Sequence, residues 1–575
     1  MHRLARLDHR YVWHPFTQMR DWLRCEPIVI VEGRGAVVRD ARGREYLDAN
    51  ASIWTNLHGH HHPKIDAAIR RQLGKIAHCS ALGLANEPAS RLAEQLVKAV
   101  ERGARSAERL HPWAPEPKRS TGGPGGSADD SQSPMADSPA SVAGRRTSGA
   151  GNLTPITEGQ SRTADCLSPI ANPQSAIRNP QLAKVFFSDD GSTALEVALK
   201  LAYEFARRTK RTRQPRFLSL QGAYHGDTVG AVSLGHIDLF HRAYAGLLFK
   251  SDAVMAPYCY RCPFNRAKPE RADARDYRQC RWECVGKVEQ RFERQRQKGN
   301  PYAAFVLEPL IQGAAGMIPQ PADWLRRVAE IARGHGAQLI ADEVMTGFGR
   351  TGRANAERGM RNAEPGPGPV ASQLELRRSD FGSRGSDLLF ACHREAVQPD
   401  FLCLAKGLTG GYLPMAATLT TRAVFDAFLG EYDEFKTFFH GHSYTANPLG
   451  AAAALASLDL LSTPASRHAR RRLEAALREE LHSLWTLPNV GDIRQVGLIV
   501  GIELVKDWRT REPFDLRERA GIRVCEAMAR RGVLTRPIGN VIVLMPPYCT
   551  TPAQVNRMVE ALRRGCEEVL GRPAA

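Results

Sequence analysis

The stretch PDFLCLAKGLTGGYLPMAA, Pro399 to Ala417, sets an apolar run directly against a lysine, Lys406, and a glycine-rich turn. A short apolar run closed by glycine reads as a buried strand. Lysine is seldom buried without a reason. In one reading its aliphatic stem lies on the core and the ammonium reaches water. In the other, the amine is held at the strand end for chemistry. The choice depends on what the rest of the chain brings to the same place.

Four more strand-like runs precede this one: KVFFS, RFLSL, AAFVLEP and AQLIADEV. Helical patterns lie between most of them, among them TALEVALKLAYEFARR and DWLRRVAEIARGHG. Apolar strands alternating with helices predict an α/β fold with a largely parallel sheet covered by helices. After Gly441 the pattern becomes helical and then gives short strands, GDIRQVGLIVGIELV and NVIVLMPP. That predicts a second, smaller α+β domain, completed by the N-terminal segment. The expected division is 1–57 and 441–575 for the small domain and 58–440 for the large one.

Two stretches interrupt the alternation. Residues 103–181 include STGGPGGSADDSQSPMADSPASVAG, too poor in apolar side chains to offset chain entropy. They are expected to be a disordered insertion in a loop, which loop closure tolerates. Residues 354–397 contain EPGPGPVASQ and are expected to be a second inserted loop.

Composition narrows the class. The chain has 575 residues, 43% hydrophobic and 24% charged, enough for a large core. It has no run of about 18 apolar residues, so no membrane-spanning helix is expected. The start, MHRLARLDHRYVWHPF, lacks the apolar segment of a secretory signal. Twelve cysteines in so long a chain do not make a disulfide scaffold, and a reducing cytoplasm fits them. The net charge of +18 comes from arginines spread along the chain. The densest cluster, FARRTKRTRQPR, reads as a solvated helix end. With no zinc-finger, RNA-recognition or basic-zipper pattern, neither nucleic acid nor membrane is an expected partner.

Four groups at strand ends carry chemistry. In FFSDDGSTALEVALK, Gly191 and Ser192 open a helix after a strand. The free N–H groups and dipole of a helix N-terminus suit phosphate, although such residues often serve only as caps. In LSLQGAYHGDTVG, Tyr224 precedes His225 and Gly226. An aromatic there can stack on a flat heterocycle or simply pack. In AQLIADEVMTGFGRTG, Asp342 and Glu343 follow an apolar strand, where open α/β sheets place ligands. A buried carboxylate needs a cation, either a protonated ring nitrogen or Arg350. Lys406 completes the set. A phosphate cradle, a stacking ring, an acid for a pyridinium and a strand-end amine are the parts that hold pyridoxal 5'-phosphate. Lys406 would then attack the cofactor aldehyde and later move protons.

The order GS…YHG…DEVMTGFGRTG…AKGLTGGYLP resembles the class III aminotransferases of the aspartate-aminotransferase fold. The resemblance covers nearly the whole chain outside the two insertions. It implies the pyridoxal-phosphate fold type I, a large domain with a mostly parallel seven-stranded sheet and a smaller α+β domain. WHPFTQM, HGHHHP, KTFFHGHSYTANPLG and TRPIGNVIVLMPP are similar to the biotin-pathway branch of that class. This branch aminates 7-keto-8-aminopelargonate, with S-adenosylmethionine or lysine as donor. The other branch considered acts on ω-amino acids or diamines.

The resemblance also implies roles for single residues. Gly191 and Ser192 would bind the phosphate. Tyr224 would cover the ring and touch substrate. Asp342 would face the pyridine nitrogen, and Lys406 would bind the cofactor covalently. Gly441 would contact substrate. His442 and Ser443 would reach the phosphate of the partner subunit in a homodimer. Arg536 would grip the substrate carboxylate. Phe16, Ile53 and Trp54 fall at the substrate entrance, where many relatives carry tyrosine for Phe16 and tryptophan for Ile53.

Two further patterns suggest metals. HGHHHP, with His58, His60, His61 and His62, matches a family segment and is expected to serve structure. Cys259, Cys262, Cys280 and Cys284 have spacings near those of a zinc knuckle but are expected to be reduced thiols. No metal is expected.

Overall fold

The computed structural model describes residues 1–110, 180–209, 214–352 and 388–571. The N-terminal segment forms a ribbon of β1 (Ile30–Arg34), β2 (Val37–Asp40) and β3 (Glu45–Asp48). The five expected strands are all present: β4 (Leu182–Ser188), β5 (Arg216–Leu220), β7 (Tyr302–Leu307), β10 (Gln338–Asp342) and β11 (Phe401–Leu404). Two that were not foreseen join them, β6 (Asp252–Val254) and β12 (Ala416–Thr421). The seven form one sheet in the order β4-β12-β11-β10-β7-β5-β6. Strands β6, β5, β7, β10 and β11 pair in parallel, and β12 runs antiparallel to both β11 and β4. A small hairpin, β8 (Ile311–Gln312) with β9 (Ile318–Pro319), follows β7.

The central strands are buried on both faces, which is why they read as continuous apolar runs. Phe305, Val306, Leu339, Ile340, Leu402 and Leu404 are wholly inaccessible. Helices Gly191–Arg208 and Trp324–Gly334 turn apolar faces to this core, through Leu195, Ala198 and Ala202 in the first and Leu325, Val328 and Ala329 in the second.

Farther along the chain, β13 (Val490–Val496), β14 (Ile499–Asp507), β15 (Glu512–Pro513), β17 (Pro537–Ile538) and β18 (Val541–Leu544) make a five-stranded antiparallel sheet. Strand β16 (Val533–Leu534) instead pairs in parallel with β3, Val533 opposite Leu47. The two ends of the sequence thus share one sheet.

The edges of both expected insertions need correction. Residues 103–110 are the last turns of helix Glu87–Leu110. They are helical because the packed face continues: Ala104 and Ala107 are buried, and Gly103 lies so close to His393 that a Cβ there would sit 2.2 Å from its Nδ1. Residues 388–397 are likewise core, with Phe390, Ala391 and Cys392 inaccessible. Pro180 and Gln181 lead into β4, and the rest of both stretches, 111–179 and 354–387, lies outside the described residues.

Candidate functional site

The carboxyl ends of the parallel strands deliver the expected groups to one place. Gly191 and Ser192 follow β4, Tyr224 follows β5, Asp342 ends β10, and Lys406 stands two residues beyond β11. All five line a cavity of about 420 Å³, with Trp54 in its wall. The crevice beyond the carboxyl edge is where open α/β sheets hold ligands.

Lys406 has φ +36°, a sparsely populated conformation for a residue with a side chain. Burial pushes its ammonium below the ordinary lysine range, against the pull of Asp342 and Glu308. The glycines that follow serve a close approach. A Cβ on Gly411, φ +87°, would lie 2.8 Å from the Asn56 backbone. One on Gly410, φ +67°, would lie 2.9 Å from the His58 ring. The turn therefore seats Lys406 against segment 55–58, and Trp54 just before it stands over the amine, its ring centroid 5.3 Å from Nζ.

Strand alternation separates the two acids of ADEV. Asp342 faces the cavity. Its Oδ2 is 2.8 Å from His225 Nδ1, and its Oδ1 accepts the Val344 N–H at 3.1 Å. Glu343 points the other way and accepts the N–H groups of Ala391 and Cys392 at 2.6 and 2.8 Å. Arg350, the alternative partner for this pair, donates instead to the carbonyls of Pro546 and Asn56.

At the opposite end of the cavity Asp190 caps helix Gly191–Arg208, its carboxylate accepting the Thr193 N–H at 2.9 Å. The Ser192 hydroxyl accepts the Asp227 N–H at 3.1 Å, and the Tyr224 hydroxyl donates to Asp227 Oδ2 at 2.7 Å. Burial and this hydrogen bond hold the Tyr224 phenol above its usual range. Gly226 has φ +128°, and a Cβ there would lie 2.2 Å from Ser192 Oγ, so the loop closes on the helix end only because position 226 is glycine.

Of the expected substrate residues, Trp54, Tyr224 and Lys406 line the cavity, while Phe16, Ile53, Gly441 and Arg536 lie outside its wall. Phe16 is 54% exposed and Ile53 45%. Phe16 stacks edge-on against Phe240, which in turn meets Tyr224. Arg536 donates to the Phe16 carbonyl at 2.7 Å. Gly441 and Ser443 are exposed, and His442 Nδ1 is 2.9 Å from Asp189 Oδ2 of its own chain.

Three polar residues of the site escaped the sequence reading. His225 was noted but given no role, yet it is buried and is the partner of Asp342. Asp227 joins Ser192 to Tyr224. Glu308, immediately after β7, lines the cavity and is pushed up to about 7 by burial and by Asp342. Its place after the apolar run AAFVLEP was the available signal.

The four histidines of HGHHHP each take a separate partner. His58 meets Ser457, His60 meets Asp48, His61 meets Asp66, and His62 caps the helix that begins at Pro63. Cys259 and Cys262 flank one turn, and Cys280 and Cys284 flank the start of helix Glu283–Gln297. Among the described residues no three His, Cys, Asp or Glu side chains are grouped to hold a metal.

The class-III aminotransferase family model matches residues 20–107, 162–365 and 381–565. The chain belongs to the class-III aminotransferase family. It is 38% identical to the adenosylmethionine-8-amino-7-oxononanoate aminotransferase of Geobacter sulfurreducens, over 98% of this chain and 97% of that one. The crystal structure of the enzyme of the same name from Methanocaldococcus jannaschii superposes with a TM-score of 0.71 at 31% identity, covering 98% of this chain and 99% of the other. An amine transaminase from an uncultivated Pseudomonas species, solved in its PLP-bound form, gives 0.72 at 28% identity over 97% and 98% of the two chains.

Proposed function

We propose that this chain is a pyridoxal-phosphate-dependent aminotransferase that converts 7-keto-8-aminopelargonate, also called 8-amino-7-oxononanoate, to 7,8-diaminopelargonate in biotin formation. The observation that carries the reading is the cavity itself. Lys406 and Asp342, delivered by neighbouring parallel strands, face one space that Gly191, Ser192 and Tyr224 also line.

The residues fit the cofactor. The cavity has room for a pyridine ring with a phosphate arm. Gly226 leaves open the approach to Ser192, which a Cβ would fill. Asp342 is a buried acid suited to a pyridinium, and Lys406 is a desolvated amine suited to an aldehyde. When bound, the cofactor supplies an electron sink and a carrier for the amino group.

The chain's own groups divide the remaining work. Gly191 and Ser192, at a helix N-terminus, hold the phosphate, with Asp227 fixing the serine hydroxyl. Asp342, oriented by His225, holds a proton on the ring nitrogen. Tyr224 and Trp54 wall the ring and keep water from it. The Lys406 amine, desolvated at the strand end, would hold the cofactor at its aldehyde and, when free, would take up and return a proton at Nζ. Arg536 takes the acceptor carboxylate in a bidentate grip. A homodimer in the cytoplasm is part of the proposal, with His442 and Ser443 reaching the phosphate of the second copy. The amino donor is S-adenosylmethionine or lysine.

The test is direct. Purified protein with pyridoxal phosphate and 7-keto-8-aminopelargonate is given S-adenosylmethionine or lysine, and the diamine is measured by mass spectrometry. Diamine with one of them is the expected result. Amination of pyruvate or 2-oxoglutarate but not of the keto-amino acid would replace this reading with an ω-amino acid or diamine aminotransferase.

A further inference from the structure

Residues 51–54 turn through the left-handed helical region with no glycine among them. Their φ angles are 45° at Ala51, 49° at Ser52, 62° at Ile53 and 70° at Trp54. A Cβ crowds the backbone in this region, so L-residues enter it singly, and four in succession store strain. Such strain persists only where the surroundings over-determine the backbone.

Here the surroundings converge on one carboxylate. Asp48 ends β3 and is buried. Its Oδ1 accepts the N–H of Ser52 at 3.1 Å and that of Asn50 at 3.3 Å. Its Oδ2 accepts the Ser52 hydroxyl at 2.9 Å and lies 3.0 Å from His60 Nε2. The backbone then closes on itself: Trp54 N–H donates to the Asn50 carbonyl at 2.8 Å, and Thr55 and Asn56 both donate to Ala51 at 3.0 Å.

The product of the turn is placement. It puts the Trp54 indole over the Lys406 amine, and its backbone runs on into the surface on which Gly411 packs. The indole Nε1 is buried with no hydrogen-bond partner among the described residues, which leaves a donor at the wall of the cavity. Asp48 itself does not line the cavity.

We propose that Asp48 is a positioning residue: its carboxylate locks the left-handed turn 51–54 and thereby fixes the Trp54 indole over the Lys406 amine and the bound acceptor. The acceptor half of this statement rests on the aminotransferase reading above; the turn does not.

Three measurements test it. The first is thermal stability of Ser52→Ala and Ser52→Gly. Both lose the hydroxyl, and they differ only in the Cβ at a left-handed position. Ser52→Gly is expected to melt higher than Ser52→Ala, the reverse of the order inside ordinary helices. In an Asp48→Asn background the gap is expected to widen. The second is the visible circular dichroism of bound pyridoxal phosphate, which needs no substrate. Asp48→Asn is expected to change its intensity while the affinity for the cofactor stays within about twofold. The third is kinetic. Asp48→Asn is expected to raise the acceptor KM by roughly ten- to a hundredfold, the cost of a small misplacement, and kcat far less. An Ala–Gly order like that of an ordinary helix, or an unchanged dichroism with unchanged KM, overturns the proposal. If Asp48→Asn does not fold, the Ser52 pair read by melting and by dichroism decides alone. If the wild type does not aminate the keto-amino acid, the functional reading falls, and melting and dichroism still decide the role of Asp48.

Discussion

The cofactor end and the mouth of the cavity are built differently. Asp342 and His225 are 5% and 3% exposed, fixed at the ends of strands that the core covers on both sides. Phe16 and Ile53, expected at the mouth, are 54% and 45% exposed and come from the N-terminal segment, and Arg536 comes from the far end of the chain. One end is rigid because burial and pairing hold it. The other is assembled from distant pieces that touch through single contacts, such as Arg536 with the Phe16 carbonyl. The contrast separates chemistry from selection: damage to the first should stop turnover, and damage to the second should weaken binding.

The largest effect is expected at Lys406. Lys406→Ala should abolish diamine formation and the visible absorbance of the bound cofactor, read by spectrophotometry and mass spectrometry. Retained turnover would break the contrast at its strongest point. Asp342→Asn comes next. With no anion for the ring nitrogen, kcat should fall by roughly a hundred- to a thousandfold while cofactor stays bound, as stopped-flow and absorbance would report. At the mouth, Arg536→Ala should raise the acceptor KM by roughly ten- to a hundredfold, the worth of a charged hydrogen bond. The cofactor absorbance should not change.

The smallest effect is on stability and belongs to the buried side alone. Burial pushes the carboxyls of Glu343 and Glu395 up to about 7 from 4.5. Between those values the folded chain keeps protons that the unfolded chain releases. Stability contributed by the neutral forms is therefore lost as pH rises through that window. Glu343→Gln should make the decline of Tm between about pH 5 and about pH 7 shallower, as calorimetry at several pH values would record. An equal slope in wild type and variant would remove Glu343 from the account.

The same contrast governs how much could be read from the sequence. The buried end was legible because fully covered strands are apolar throughout, so a charge at the end of one stands out. Lys406 and Asp342 were found that way, and both line the cavity. Strand β12 was missed because AATLTT has few large apolar side chains and lies close behind the glycine turn. His225 and Asp227 were missed as partners because hydrogen bonds between strand ends leave no period in the sequence. The left-handed turn at 51–54 left no trace either, since the usual sign of that conformation is glycine and none is present. The helix running on through Leu110 was cut short because the insertion was bounded by composition alone; the structure continues the helix and uses Gly103 to let His393 come close.

Among the described residues strand β4 pairs with β12 alone, so residues 182–188 wait for residues 416–421. During synthesis the segment that leads into helix Gly191–Arg208 leaves the ribosome more than two hundred residues before that neighbour exists. An unpaired strand edge of that kind is open to association with other chains. The nascent protein therefore has a long interval in which a chaperone has something to shield, and this edge of the sheet closes only after the lysine's own strand has been made.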